Sequence, residues 1–196
     1  MKEILDVFDE NYHKIGTEDR EEVHRKGLWH QTVHCWIIVQ SAAGTWICLQ
    51  QRAADKKEFP SLFDISAAGH VEAGEDIETA ALREIREEIG LLLEPEDLHA
   101  AGYIKDSIHI GSLKDNEFCR LFFYKTAAPL DLKPGEEVQD AARVLLSELE
   151  KLITGEKKEI KAESVLSGKS FLLSKRDLCP HEENYYRHIL KAAQGF

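Results

Sequence analysis

The residues from Ile77 to Ile89 constrain the fold more than any other stretch of this sequence. Leu82, Ile85 and Ile89 recur at about 100° per residue, the period of an α-helix with one apolar face. Asp76 stands where an N-cap belongs, and Gly90 where a left-handed residue ends a helix. Glu84, Glu87 and Glu88 keep i, i+3, i+4 spacing, so their side chains rise from one face and repel unless a cation sits among them. With the apolar face on a core, the carboxylates point outward into a groove. Three carboxylates on a rigid helix suit a hard cation such as magnesium, which takes oxygen ligands. Arg83, four residues before Glu87, can orient it. The glycines ahead of the helix allow turns that bring a backbone carbonyl to the same ion. For three glutamates taken alone, a solvated acidic face is the plainer alternative.

Around this helix the pattern is that of strands. Residues 3–8 and 12–15 read as a short hairpin about Asp9-Glu10-Asn11, and a polar stretch from Gly16 to Gly27 follows. Residues 32–39 and 45–51 read as a second hairpin with a four- or five-residue loop around Ser41-Ala42-Ala43-Gly44. Residues 62–68 form a short apolar segment. After the helix come a strand at 117–125, the Lys133-Pro134-Gly135 turn and a strand at 141–145. Ser147-Glu148-Leu149-Glu150 has capping-box spacing ahead of a short helix, and residues 182–193 read as a closing helix. Strands on both sides of a central helix favour an α/β sandwich with a mixed sheet. At 196 residues, 43% of them hydrophobic, one domain spanning 1–196 accounts for the whole chain, with N-terminal strands in about 1–28.

The stretch from Gly69 to Leu91 resembles the Nudix signature at every specified position: Gly69, Glu75, Arg83-Glu84-Ile85, Glu87-Glu88 and Gly90-Leu91. The resemblance implies a Nudix fold, an α/β/α sandwich whose box 69–91 is a loop–helix–loop metal site. It implies a hydrolase that cleaves a diphosphate linkage in a nucleoside or other organic diphosphate. Magnesium (manganese is possible) would be held by Glu84, Glu87, Glu88 and the Gly69 carbonyl. It would neutralise the diphosphate oxygens and lower the pKa of a bound water, whose proton a carboxylate accepts. Glu84, Glu87 and Glu117 are the candidate catalytic residues. In the family Glu75 has a structural part with the box arginine.

A second resemblance covers about residues 5–126. Asp6-Val7-Phe8-Asp9, Val23-His24, Leu28-Trp29-His30, residues 51–57, Ala68-Gly69-His70 and Asn116-Glu117-Phe118-Cys119 look like the isopentenyl-diphosphate isomerase branch of the same superfamily. Those isomerases hold a metal with three histidines and two acids, which map here onto His24, His30, His70, Asp115 and Glu117, with a one-residue gap between His24 and His30. They also need a cysteine before the Gly-His pair, and this chain has Ala68, which cannot exchange a proton. The isomerase helix is degenerate where this one is complete, so the scaffold points to hydrolysis. His24 and His30 could instead bond nearby backbone or stack on Trp29.

Arg52, Lys56 and Lys57 make a basic loop, and Arg52 and Lys56, with His70, are the candidates for holding substrate phosphates. Glu136 and Glu137 compete for the extra acid that such hydrolases recruit outside the box. Trp29, Trp36, Phe59 and Phe63 could stack on a base or cover a prenyl chain, with buried core the plainer role for Trp36. A net charge of −11 excludes a general nucleic-acid polymer partner but not a small phosphorylated substrate, because a divalent ion reverses the local sign. There is no apolar run near the roughly 18 residues a membrane span needs, and no secretory signal. Four scattered cysteines read as reduced core thiols in a cytoplasmic protein, monomeric or homodimeric. The remaining alternative is a non-catalytic module that binds a phosphorylated ligand, against which the intact carboxylate set argues.

Overall fold

In the computed structural model, which describes residues 2–111 and 113–195, the chain opens on the hairpin its alternation predicts. Met1, Ser112 and Phe196 of the expected 1–196 domain lie outside the described residues. Strand β1 (Ile4–Phe8) buries Leu5 and Val7 and pairs antiparallel with β2 (Lys14–Asp19). The polar stretch from Gly16 to Gly27, where the sequence suggests no element, holds the end of β2 and helix α1 (Arg20–Lys26). Asp19 caps α1 by accepting from the Glu21 amide, and Gly27 ends it at φ 68°. Only Val23 of that helix is buried, so it carries no apolar stripe to announce it.

Strands β3 (Trp29–Ser41) and β4 (Gly44–Arg52) form the second predicted hairpin with longer arms and a shorter loop. Ser41 pairs with Gly44, leaving two residues, Ala42-Ala43, instead of four or five. The apolar segment that follows is two short strands, β5 (Phe63–Asp64) on β4 and β6 (Ala67–His70) on β3. Helix α2 (Ile77–Ile89) has the predicted bounds, with the Asp76 carboxylate accepting from the Glu78 and Thr79 amides and Gly90 at φ 72°. Its buried row runs Ala81, Ile85, Ile89, flanked by Ala80 and Glu88, whereas Leu82 is only half-buried. Ile85 and Ile89 are thus on the apolar face as read in the sequence, but the face spreads towards Ala81 and Glu88 and leaves Leu82 at its edge.

Strand β7 (Leu98–Ile110) pairs antiparallel with β8 (Leu113–Thr126), which extends the predicted 117–125 strand at both ends. Strand β9 (Val138–Leu145) contains the predicted 141–145 and leads into helix α3 (Leu146–Ile153). The capping box expected at Ser147 does not form: the helix starts one residue before it, and Leu145 stands at the cap with no side-chain bond. Strands β10 (Glu159–Ser164) and β11 (Ser170–Ser174) come next, and helix α4 (Glu183–Ala193) closes the chain as expected.

Among the described residues eleven strands belong to one sheet, whose main path runs β11-β10-β9-β4-β3-β1-β2. The β7–β8 pair joins it because β8 runs parallel to β3, from Trp29↔Asn116 to Val39↔Thr126, which makes the sheet mixed. Strand β3 is buried on both faces and sends alternate residues to two cores. Val33, Cys35 and Ile37 meet Ala81, Ile85 and Ile89 of α2 on one side. Trp36 and Ile38 meet Leu149 of α3 and Tyr185 and Ile189 of α4 on the other. The result is the expected α/β/α sandwich. The four cysteines are buried and unpaired, as reduced core thiols should be.

Candidate active site

A cavity of about 610 Å³ opens where α2, the loop after β4 and the ends of β3, β6 and β8 meet. Glu84, Glu87, Glu88, Gly69, His70, Arg52, Lys56 and Glu117, the residues singled out in the sequence, all line it. Glu137 lines it as well. Of the four aromatic candidates only Phe59 does: Trp36 and Phe63 are buried, and Trp29 packs on Phe118 with Lys105 above it.

Arg83 organises the helix side. Its Nε and Nη2 donate to the two oxygens of Glu75 at 2.9 Å each, and Nη2 also reaches the His70 carbonyl at 3.0 Å. Its Nη1 donates to Glu84 at 2.6 Å and to Glu87 at 3.4 Å, so the structural part expected of Glu75 and the orienting part expected of Arg83 are both present. The three box carboxylates are not equivalent, which corrects the expectation that all point outward. Glu87 is exposed, Glu84 is mostly covered, and Glu88 is buried at 8% exposure. Glu88 lies beside the buried Ile85–Ile89 row, and its Oε2 accepts from the Ala68 amide at 2.7 Å and Gln50 Nε2 at 2.9 Å. Burial pushes its pKa up to about 8, against those two bonds, which favour the ionised form. It therefore fastens the strand before Gly69 to α2.

Gly69 is a glycine because of Glu84. A Cβ at that position would lie 2.1 Å from Glu84 Cδ. The carboxylate thus sits directly against the Gly69 backbone, and oxygen donors from Glu84, Glu87 and that backbone suit a hard divalent cation.

A second donor set lies beside the first. His24 from α1, His30 from β3 and His70 from β6 pack with ring centroids 5.2–5.3 Å apart. One donor atom from each lies within 4.8 Å of the others, and the same holds for His30, Asp115 and Glu117. His30 does bond backbone as the plainer reading had it, Nδ1 to the Leu28 carbonyl at 3.2 Å, but this leaves Nε2 aimed into the cluster. His30 Nε2, His24 Nε2 and Asp115 Oδ1 are buried with no hydrogen-bond partner. Burial pushes His30 down to about 3 and His24 to about 4, so both rings stay neutral with a lone pair free. Three orphaned donors facing one point fit a metal ion.

Other residues at the site carry no signal in local sequence. His34, inside the apolar run of β3, bonds Tyr185 Oη of α4 through Nδ1 at 2.7 Å, and its Nε2 lies 3.3 Å from Glu117 Oε2. Burial works to raise Glu117, but the His34 bond and charge hold it well below the usual carboxylate range. His181 bridges Asp106 and Asp64, and Asp64 accepts from Arg52. Lys56 pairs with Glu137 at 2.6 Å. A histidine amid apolar β-residues is the one sequence clue available, since a buried ring needs partners.

The NUDIX domain model matches residues 29–164. An uncharacterized Nudix hydrolase of Clostridium acetobutylicum is 35% identical over 200 residues, covering 97% of this chain and of that protein. An isopentenyl-diphosphate Delta-isomerase of Aromatoleum aromaticum is 29% identical over 123 residues, 63% of this chain and 67% of its own. Among solved structures, a Deinococcus radiodurans protein superposes with a TM-score of 0.59 at 23% identity, covering 78% of this chain and 90% of that one. The C. elegans Ap4A hydrolase gives 0.53 at 17% identity, covering 85% and 98%. At those identities the two structures speak for the fold.

Proposed function

The chain belongs to the NUDIX family, and on that premise we propose that it is a magnesium-dependent hydrolase of a diphosphate linkage in a nucleoside or other organic diphosphate. Enzymes of this family act on diphosphate bonds and generally use divalent metal ions. The observation that carries the reading is the meeting of the whole box donor set with Arg52 and Lys56 in one cavity. Residues 1–196 are read as one domain, a cytoplasmic protein acting as monomer or homodimer on a small molecule. Among the described residues no helix is long and apolar enough to cross a membrane.

Glu84, Glu87, Glu88 and the Gly69 carbonyl would hold the cation, and Glu88 also keeps the Gly69 strand and α2 in register through the Ala68 amide. When bound there, magnesium supplies positive charge against the diphosphate oxygens and acidifies the attacking water. Glu87, the exposed member of the set, accepts the proton from that water. Glu117, a further candidate for the catalytic carboxylate, lies with Asp115 and His30 at the histidine-lined position and would serve there as a ligand. Arg52 and Lys56 hold the phosphate oxygens that the cation does not reach.

The histidine cluster and the isomerase relative favour one competing reading, interconversion of prenyl diphosphates. Against it stands Ala68, whose methyl has no proton to give and whose amide is already committed to Glu88. A panel of nucleoside diphosphates and triphosphates, dinucleotides, nucleotide sugars and isopentenyl diphosphate, with magnesium and after chelation, tests both. We expect phosphate or monophosphate release that chelation abolishes, and no isomerised product. Interconversion of isopentenyl diphosphate without hydrolysis of any member overturns the assignment.

The second donor set makes its own prediction. A divalent ion at about 100 times its Kd stabilises the native state by about 2.7 kcal/mol. After chelation, adding manganese or zinc is expected to raise the melting temperature of the wild type in two resolvable steps. His30→Gln keeps only the step due to the box. An unchanged two-step response in His30→Gln rules out the histidine site.

A further inference from the structure

We propose that His181, which stands beyond the stretch matched by the family model, is a positioning residue that sets Arg52 for substrate phosphate by way of Asp64. The inference rests on the hydrolase reading above and adds to it a part supplied by the C-terminal segment.

Both ring nitrogens of His181 are spent: Nδ1 lies 2.5 Å from Asp106 Oδ2 and Nε2 2.9 Å from Asp64 Oδ1. The side chain is 6% exposed, and those of Asp106 and Asp64 are 2% and 10%. Two carboxylates buried this deeply need a cation between them. An imidazolium with both N–H groups donating is the only form of the ring that serves both. Burial works to discharge it, but the bonds to Asp106 and Asp64 outweigh burial and raise its pKa to about 10. The ring is stacked on Tyr185 with centroids 4.6 Å apart and meets the edge of Tyr186, so α4 fixes its plane.

The alternation of charge continues one step further. Asp64 Oδ2 accepts from Arg52 Nη1 at 3.3 Å, giving a series that runs from the buried Asp106 through His181 and Asp64 to the half-buried Arg52. Strand β5 sets Asp64 opposite Gln50 of β4, which brings it within reach of Arg52 at the end of the same strand. The Glu58 carbonyl accepts from Arg52 Nε at 3.2 Å. The guanidinium is held by two of its donors, and the remaining ones are free for a phosphate in the cavity that Arg52 lines. Lys56 is held differently, by the exposed Glu137. Without His181, Asp64 would face Asp106 with no charge between them and would shift towards its neutral form, loosening Arg52. Since His181 has no donor left for substrate, its effect on binding passes through Arg52.

The test is titration of the magnesium-loaded protein with methylenediphosphonate, a diphosphate that cannot be hydrolysed. Arg52→Gln and His181→Gln are each expected to weaken binding about 10-fold, the worth of one charge-assisted hydrogen bond. The double variant is expected to bind no worse than Arg52→Gln alone, because both changes remove one interaction. Since His181→Gln leaves two carboxylates facing each other, it is also combined with Asp106→Asn, which removes one of those charges; binding is expected to recover towards the wild-type level, and no recovery in a folded variant overturns the route through Asp64. Binding by His181→Gln at the wild-type level, with a lowered melting temperature, makes the network a structural clasp and overturns the inference. Additive losses in the double variant overturn it as well, and so does wild-type binding by Arg52→Gln. Failure of the wild type itself to bind the diphosphonate with magnesium overturns the hydrolase reading, and this inference with it.

Discussion

Glu84→Gln is expected to lower magnesium-dependent turnover by about 10³-fold, close to 4 kcal/mol of transition-state stabilisation. The side chain is mostly covered, lies against the Gly69 backbone and takes a 2.6 Å bond from Arg83. The amide keeps an oxygen for that bond and removes the charge that would meet the cation. Burial already works against the ionised form, so the loss of charge costs the fold little. Steady-state kinetics at saturating magnesium, beside a melting curve, separate the two effects. Full turnover would remove the box from the metal site altogether. Glu88 is a poorer choice for this experiment, because its carboxylate also bonds Ala68 and Gln50 and its loss would change structure and chemistry together.

Gly69→Ala is expected to separate stability from activity in the same sense, by displacing that carboxylate instead of discharging it. The added methyl carbon would stand 2.1 Å from Glu84 Cδ and 2.2 and 2.5 Å from its oxygens, where ordinary contacts begin near 3.4 Å. What must give way is the far end of a flexible side chain, so unfolding free energy is expected to fall by no more than about 1 kcal/mol. The carboxylate itself moves by about 1 Å, and displacements of that size at a reacting centre cost about 10²-fold in rate. Gly69 is not among the residues at positive φ, so relief of backbone strain is not the explanation. A variant of undiminished turnover would mean that the carboxylate position seen here is not the working one.

Much of this site was legible because its chemistry is written locally. The helix bounds and its caps follow from a dense run of short spacings, and the Arg83–Glu75 pair and the gathering of the box residues at one cavity are what the resemblance carried by that run implies. What spacing cannot say is which way Glu88 turns. It shares a helical face with Glu84, but only the packing of β6 beside α2 decides that it points inward to the Ala68 amide. Elements whose side chains face water left no trace in the pattern. Residues of β7 are mostly exposed or half-buried, and α1 buries Val23 alone. The charged partners were unreadable for a different reason. His181 finds Asp106 and Asp64 across 75 and 117 residues of sequence, and a lone histidine after Pro180 gives no hint of either. The histidine cluster was half visible, as a resemblance across a one-residue gap, and the Gly27 cap that ends α1 just before β3 shows how the two rings meet despite it.

The parallel ladder between β3 and β8 sets the order in which this molecule can come alive. His30 and Glu117 stand opposite each other in that ladder, and His34 meets Tyr185 across 151 residues. Contacts so distant form late, after the local hairpins have closed their small loops. A chain that has built β1–β2, β3–β4, β6 and α2 already owns its box carboxylates and its three clustered histidines, yet they face a half-made cavity without Asp115, Glu117 and the His181 anchor behind Arg52. Hydrolytic competence thus depends on pairings far apart in sequence as well as on the box helix, since only these bring Glu117 and the anchor of Arg52 to the box carboxylates.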